Sequence, residues 1–383
     1  MSRSKNEAPP FRLEAKRADL LQAVTRAATT IERRHTVPIL SCVRLEMGFG
    51  TLAVTGTNLD TEVRSEIEAQ GEGATCLPAY RLRDLLRSLP ADTVRFEGDL
   101  NGIVTLSAGA TEASSCSLPV QDHPTLSVEH QLWKLQLAEG VFSYLVGGAA
   151  EVMSTDDTRY YLNGVCLEVR DGAAIATATD GHRLVSRSSN LAGQVKDRSP
   201  IIMPRQAVQV ALPLVGASEV TLVAFGADSN GSPSKLEISG GGARLRLKLI
   251  DGTFPDWRRV VPPSGGAVIA LNVGELAMSL RLAKANASDR GRAVVLSDCD
   301  GGVRLTSDNP DFGKVTTRLA AEGELACGRI GINAEYLAGM ARAAARIGSK
   351  SLRLQITDPG SPIRIEPDAA LGGSLSVLMP MRV

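Results

Sequence analysis

The chain repeats itself three times, and this limits its fold more than any other feature. Stretches with an apolar stripe at near-helical spacing occur at 18–28, 139–150 and 275–285. Each is followed by a run alternating apolar and small polar residues: Leu52–Asn58, Ala174–Asp180 and Val303–Asn309. Such alternation predicts strands with one buried face. Thr57 and Thr179 are 122 residues apart, and Thr179 and Ser307 are 128 apart. A second helix is predicted in each copy, near 79–89, 204–214 and 333–347, with further strands at 93–96, 220–223 and 351–356. Pro204 suits a first helical turn, where its missing N–H costs nothing. Asn333 suits an N-cap. The reading is an α+β chain of three copies, each with two helices and many strands. The copies span 11–130, 131–262 and 263–383, after a tail at 1–10, with Pro262-Pro263-Ser264-Gly265-Gly266 as a linker. The alternative, one β-rich domain and one α/β domain, ignores the repeat.

At 383 residues the chain can bury substantial cores. Its 42 Lys+Arg balance 42 Asp+Glu, which excludes a nucleic-acid binder relying on whole-protein charge. The charge is not evenly spread, however. The six predicted helical segments sum to +7, leaving −7 elsewhere. Helices sharing one surface would make it basic, able to track a duplex backbone without reading sequence. The plainer account is that helices favour Lys and Arg by propensity. Aromatics, at 4%, are too few for a base-stacking surface. No run of about 18 apolar residues predicts a membrane helix. The first ten residues lack a secretory apolar region, so a cytoplasmic protein is expected. Cysteines at 42, 76, 116, 166, 299 and 327 form no Cys-x-x-Cys pair, and they are expected as small core residues in a reducing compartment.

Few residues suggest chemistry. His182 near Asp180 resembles part of a general-base pair, but no nucleophile or oxyanion site accompanies it. Asp156-Asp157 fits a loop or helix cap better than a metal site. Gly240-Gly241-Gly242 lacks the strand-to-helix setting of a phosphate loop and reads as a hairpin turn. No metal or cofactor is expected.

Particular motifs then carry a resemblance. Thr36-Val37-Pro38-Ile39-Leu40, Gly56-Thr57-Asn58-Leu59-Asp60, Asp157–Gly164, Ala178–Leu184, Lys248–Val260 and Leu378–Val383 occur in order. Together they resemble the bacterial DNA polymerase III beta subunit, the replicative sliding clamp, over about residues 11 to 383. The resemblance implies three domains of one fold per chain, with two helices and two antiparallel sheets each. It further implies that two chains join head to tail into a six-domain ring with helices lining the hole. Such a ring slides on double-stranded DNA and tethers DNA polymerase III, without catalysis of its own. Tethering replaces repeated bimolecular binding by a high effective concentration. The implied partners are duplex DNA, the polymerase III alpha subunit, the clamp loader and other proteins carrying a clamp-binding motif.

The family's partner-binding pocket maps onto Leu162, Thr179, Gly181, His182, Arg183, Leu184, Pro255, Arg259, Val260, Val377, Met379, Pro380, Met381 and Arg382. Apolar residues and Met suit an adaptable peptide groove, and arginines suit its polar groups. Without the resemblance, Met379-Pro380-Met381 reads as a buried last strand. Family positions for DNA contact are Arg34, Arg159, Tyr160, Tyr161 and Arg205, with Arg33 a neighbour. The plainer reading of Tyr160-Tyr161 is partial burial.

Three features depart from the family pattern. The chain is neutral where relatives are usually acidic. His123-Pro124 stands where an aromatic–Pro pair is common. The expected subunit interface is small and polar, Thr111-Glu112-Ala113-Ser114-Ser115-Cys116 facing Ala285-Asn286-Ala287-Ser288. At about 25 cal/mol per Å² such residues contribute little apolar burial, so a weaker dimer is expected, held by backbone pairing of edge strands. The rival reading is a specialised or resistance paralogue of the clamp, binding partners or small molecules in the pocket with a weak ring.

Overall fold

The computed structural model describes residues 11–33, 35–99, 101–227, 229, 231–265, 267–286, 293–325, 327–369 and 372–382. The tail at 1–10, Arg34, and Ala287 and Ser288 of the expected interface lie outside the described residues. Among those described, six α-helices fall two to a repeat: α1 (Arg17–Ala27), α2 (Ala79–Ser88), α3 (Val141–Ala150), α4 (Arg205–Val215), α5 (Val273–Asn286) and α6 (Ala334–Arg346). Asn333 caps α6, its side chain accepting from the N–H groups of Glu335 and Tyr336. Glu335 in the first turn and Arg346 in the last complement the helix dipole. Pro204 departs from the prediction. It ends the strand Arg198–Pro204, and α4 starts one residue later. A strand end tolerates the missing donor as well as a first helical turn does.

All strand pairs are antiparallel. In one compact unit, comprising the chain up to Gly140 and Gln209–Leu249, a five-stranded sheet ends on the edge strand Thr111–Cys116. An eight-stranded sheet in the same unit runs from His130–Leu137 through Ala243–Lys248 and Thr61–Glu68 to Ala74–Pro78. The other unit, Val141–Val208 and the chain from Ile250, carries a twelve-stranded sheet from Arg198–Pro204 to Arg329–Asn333. The middle repeat thus gives one set of strands to each unit. Each core lies between helices and sheet. Leu20, Val24, Leu82 and Leu86 meet Val43, Leu45, Val54 and Phe96 in the first unit. Leu276, Leu280, Leu337 and Ala341 meet Leu296, Leu305, Ile332 and Leu354 in the second.

The repeat extends to individual hydrogen bonds. Thr57 Oγ1 donates to the carbonyl of Thr61 at 3.1 Å, and Asn58 Oδ1 accepts from the N–H groups of Asp60 and Thr61. In the next copy Thr179 Oγ1 donates to Arg183 at 2.8 Å, and Asp180 Oδ1 accepts from His182 and Arg183. After each hairpin the chain pairs with the last strand of the following repeat: Glu62 with Arg246, and Leu184 with Val377. Lys248 N–H then donates to the Asp60 carbonyl, as Met379 N–H does to that of His182, both at 2.9 Å.

The cysteines only partly follow expectation. Cys42, Cys76 and Cys166 are buried, Cys299 and Cys327 half-buried, and Cys116 exposed on the edge strand; all six are free. Burial pushes the Cys76 and Cys166 thiols up to about 12, which leaves them unreactive.

Candidate partner-binding site

The hairpin Thr179–Arg183 forms one wall of a pocket of about 210 Å³. Leu162, Leu184, Pro255, Val260, Val377 and Met379 give it an apolar lining, and Thr179, Gly181, His182 and Arg183 complete the rim. Its base rests on a cluster of Leu162, Cys166, Ile202 and Phe254, with Tyr161, Ile250 and Trp257 packed alongside. Trp257 is held from outside by Arg258, which lies over its ring and donates to Glu168 at 2.6 Å. Val260 and Met379 are 54% and 42% exposed, so the pocket's lip offers apolar surface to water.

The hairpin needs its residue types. Gly181 has φ of +90°, and a Cβ there would lie 2.6 Å from Arg159 Nη1. Asp180 spends one oxygen on backbone N–H groups and the other on Arg183 Nε at 2.8 Å. Its carboxylate therefore holds the turn and does not orient the His182 ring, as a general-base pair would require. The His182 ring stacks on Tyr336, and the Arg183 guanidinium lies 4.3 Å from the same ring centroid. Tyr336 was not legible as a site residue, nor were Asp256 and Trp257, which also line the pocket.

Four of the residues expected in the pocket are not among its lining. Arg259 is exposed on the turn Trp257–Val260. Pro380 and Met381 are half-buried and Arg382 exposed. Met381 donates its N–H to the Gly331 carbonyl at 2.8 Å, beside the strand Arg329–Asn333. Among the residues expected at DNA, Arg159, Tyr160 and Tyr161 share the 3-10 turn Asp157–Leu162 with the pocket residue Leu162. Asp156 caps that turn through Thr158 N–H and pairs with Arg159 at 2.9 Å, which is the cap role and not a metal site. Tyr160 is 52% exposed, while Tyr161 is half-buried, edge-on to it. Arg205 opens α4 and donates to the Met153 carbonyl. Arg33 lies over the Tyr80 ring. Gly241 and Gly242 make the hairpin turn at φ of 59° and 74°. Basic charge is not common to all six helices, since α3 carries no charged residue. Among the described residues no cluster of three or more metal-ligating side chains occurs, and no helix is long and apolar enough to cross a membrane.

Comparison with known proteins covers nearly the whole chain. Residues 11–127, 136–256 and 258–382 match the N-terminal, central and C-terminal domains of the DNA polymerase III beta subunit. The beta sliding clamp of Caulobacter vibrioides is 30% identical over 382 residues, covering 97% of this chain and all of the relative. That of Escherichia coli K12 is 28% identical over 386 residues, with the same coverage. The solved Bartonella birtlesii DnaN sliding clamp, bound to griselimycin, superposes with a TM-score of 0.89 at 29% identity, covering 98% of this chain and all of that one. The Caulobacter crescentus clamp gives 0.85 at 29% identity, with 97% and 100% covered.

Proposed function

Because this chain belongs to the DNA polymerase III beta subunit family of bacterial sliding clamps, we propose that two copies close head to tail around double-stranded DNA and tether the polymerase. The observation that carries ring closure is the repeated junction. Twice within the chain, the strand following a Thr–Asx hairpin pairs with the last strand of the next repeat. In the third repeat the equivalent strand, Gly313–Gly323, is paired over Gly313–Ala320, among the described residues, with Gly302–Asn309 alone. The last strand of the first repeat, Thr111–Cys116, is an edge strand. Two copies, each supplying what the other lacks, make a closed set of six repeats with no free sheet edge at either junction.

In this reading the domains divide near residues 130 and 262. The ring touches DNA phosphates without reading sequence, through Arg33, Arg34, Arg159, Tyr160, Tyr161 and Arg205. The apolar pocket takes short peptide segments of the polymerase III alpha subunit, the clamp loader and other partners. Arg259, Pro380, Met381 and Arg382 extend that contact beyond the pocket lining. The protein acts in the cytoplasm, catalyses no reaction and needs no cofactor.

Light scattering over a concentration series tests ring formation. The expected mass is twice 40.4 kDa at micromolar concentration. A monomer at every concentration would contradict the reading.

A further inference from the structure

Resting on the reading that the chain encircles DNA, we propose that Tyr80 is a positioning residue that holds the guanidiniums of Arg33 and Arg83 together as a preformed clamp for DNA phosphate. Tyr80 is the second residue of α2. Its hydroxyl donates to the Ile31 carbonyl at 2.7 Å, with that of Ala28 3.3 Å away. Those carbonyls belong to the chain leaving α1, so the phenol fixes the segment that carries Arg33. The same ring carries both cations: Arg33 Cζ is 5.3 Å and Arg83 Cζ 4.8 Å from its centroid. Arg83 lies one helical turn beyond Tyr80, on the same face.

Two guanidiniums beside one ring repel each other; among the described residues Asp84 Oδ1 offsets Arg83, accepting from its Nε at 3.0 Å and its Nη2 at 2.8 Å. Among the described residues Arg33 meets no carboxylate. Arg81 and Arg87 add exposed positive charge along α2. The ring attracts both cations through its face; Arg33 is exposed, and Arg83, with 16% of its side chain exposed, keeps Nη1 clear of its pair with Asp84. A phosphate bridging the pair relieves the repulsion and finds its donors already ordered, so less side-chain freedom is lost on binding.

The test is the binding of the full chain to a fluorescent 30-base-pair duplex, by anisotropy across a salt series. Arg33→Gln and Arg83→Gln should each lower the slope of log affinity against log salt by about 0.9, the value for one phosphate contact. Tyr80→Leu should weaken binding roughly tenfold, and Tyr80→Phe should weaken it less, by about threefold, since it keeps the ring but loses the hydroxyl bond to the Ile31 carbonyl. In the Arg33→Gln/Arg83→Gln background, Tyr80→Leu should have no further effect, because nothing is left to position. The proposal is overturned if Tyr80→Leu costs the same in both backgrounds, which means a general folding role. It is equally overturned if the arginine variants leave the slope unchanged. A parent protein that neither binds the duplex nor is retained on circular DNA after loading sinks the DNA reading itself, which separates the two failures.

Discussion

The imidazole of His182 lies stacked on the ring of Tyr336, with centroids 6.4 Å apart and planes 25° apart. The two residues come from a hairpin and a helix more than 150 positions apart in sequence. Arg183 lies over the same ring, so Tyr336 braces two rim residues of the pocket at once. Tyr336→Ala should weaken binding of a fluorescent peptide with two apolar anchors by about tenfold, in the range of a buried aromatic contact at an interface. Tyr336→Phe should leave it nearly unchanged. Equal affinities for all three proteins, measured by anisotropy, would show that the stack does not shape the site.

The junction between the first two repeats pairs charged residues where the second junction pairs apolar ones. Where Leu184 faces Val377, Glu62 faces Arg246. Glu62 is 4% exposed and accepts from Leu126 N–H at 2.9 Å, with Arg246 at 3.9 Å. Arg246 is also held by Glu237 at 2.8 Å, so it does not depend on Glu62 alone. Glu62→Ala leaves a buried N–H unpaired and should cost about 2 kcal/mol in urea unfolding. A neutral Glu62→Ala would mean the carboxylate is not needed there.

His123 supplies a pH dependence. It is 4% exposed, and among the described residues neither ring nitrogen makes a well-formed hydrogen bond. Burial and the nearby Arg44 charge hold its pKa below the ordinary 6.5, outweighing backbone groups of Cys42 and Pro124 that favour the cation. In the unfolded chain the ring protonates near 6.5, so the unfolded state binds the extra proton first. The resulting stability is full above pH 6.5 and is lost as pH falls from there through the lower folded value. His123→Phe should flatten the decline of melting temperature between pH 6.5 and 5. A parallel decline in both proteins would show that another group is responsible.

Much of this was legible from sequence, because the repeat fixes which segments must be alike. The strands ending at Thr57 and Thr179 were legible as matching elements, and Asn333 as the start of α6, whereas the hairpin turns made by Asn58 and Asp180 read in sequence as strand ends. Tyr336 was not legible as a rim residue. Its place depends on the strand Gly373–Leu378 pairing with Arg183–Asn190, a non-local event that no local pattern announces. Met379 and Met381 look interchangeable in sequence. Met379 lines the pocket, whereas Met381 bonds to Gly331 beyond it. Pro204 was misplaced because one residue type suits both a strand end and a helix start.

The repeat also predicts the register between subunits. Ser307 pairs with Val315 as Thr57 does with Glu62 and Thr179 with Leu184. Thr111 opens its strand after a two-residue turn, as Ala243 does, so Ser114 corresponds to Arg246. Ser114 of one copy should therefore face Val315 of the other. With Cys116→Ser removing the exposed native thiol, Ser114→Cys/Val315→Cys should form a disulfide between chains under mild oxidation, because directly opposed strand residues lie within disulfide reach. Ser114→Cys/Thr317→Cys should do so far less. The opposite preference would move the register by two residues.

A closed ring would hold DNA topologically, by surrounding it. The most direct measurement loads labelled protein, with its cognate clamp loader, onto a nicked circular plasmid and then linearises half of the sample before gel filtration. Label should travel with the circles and be released from the linear molecules by sliding off their ends. Equal retention on both forms, or no retention on circles, would contradict encirclement.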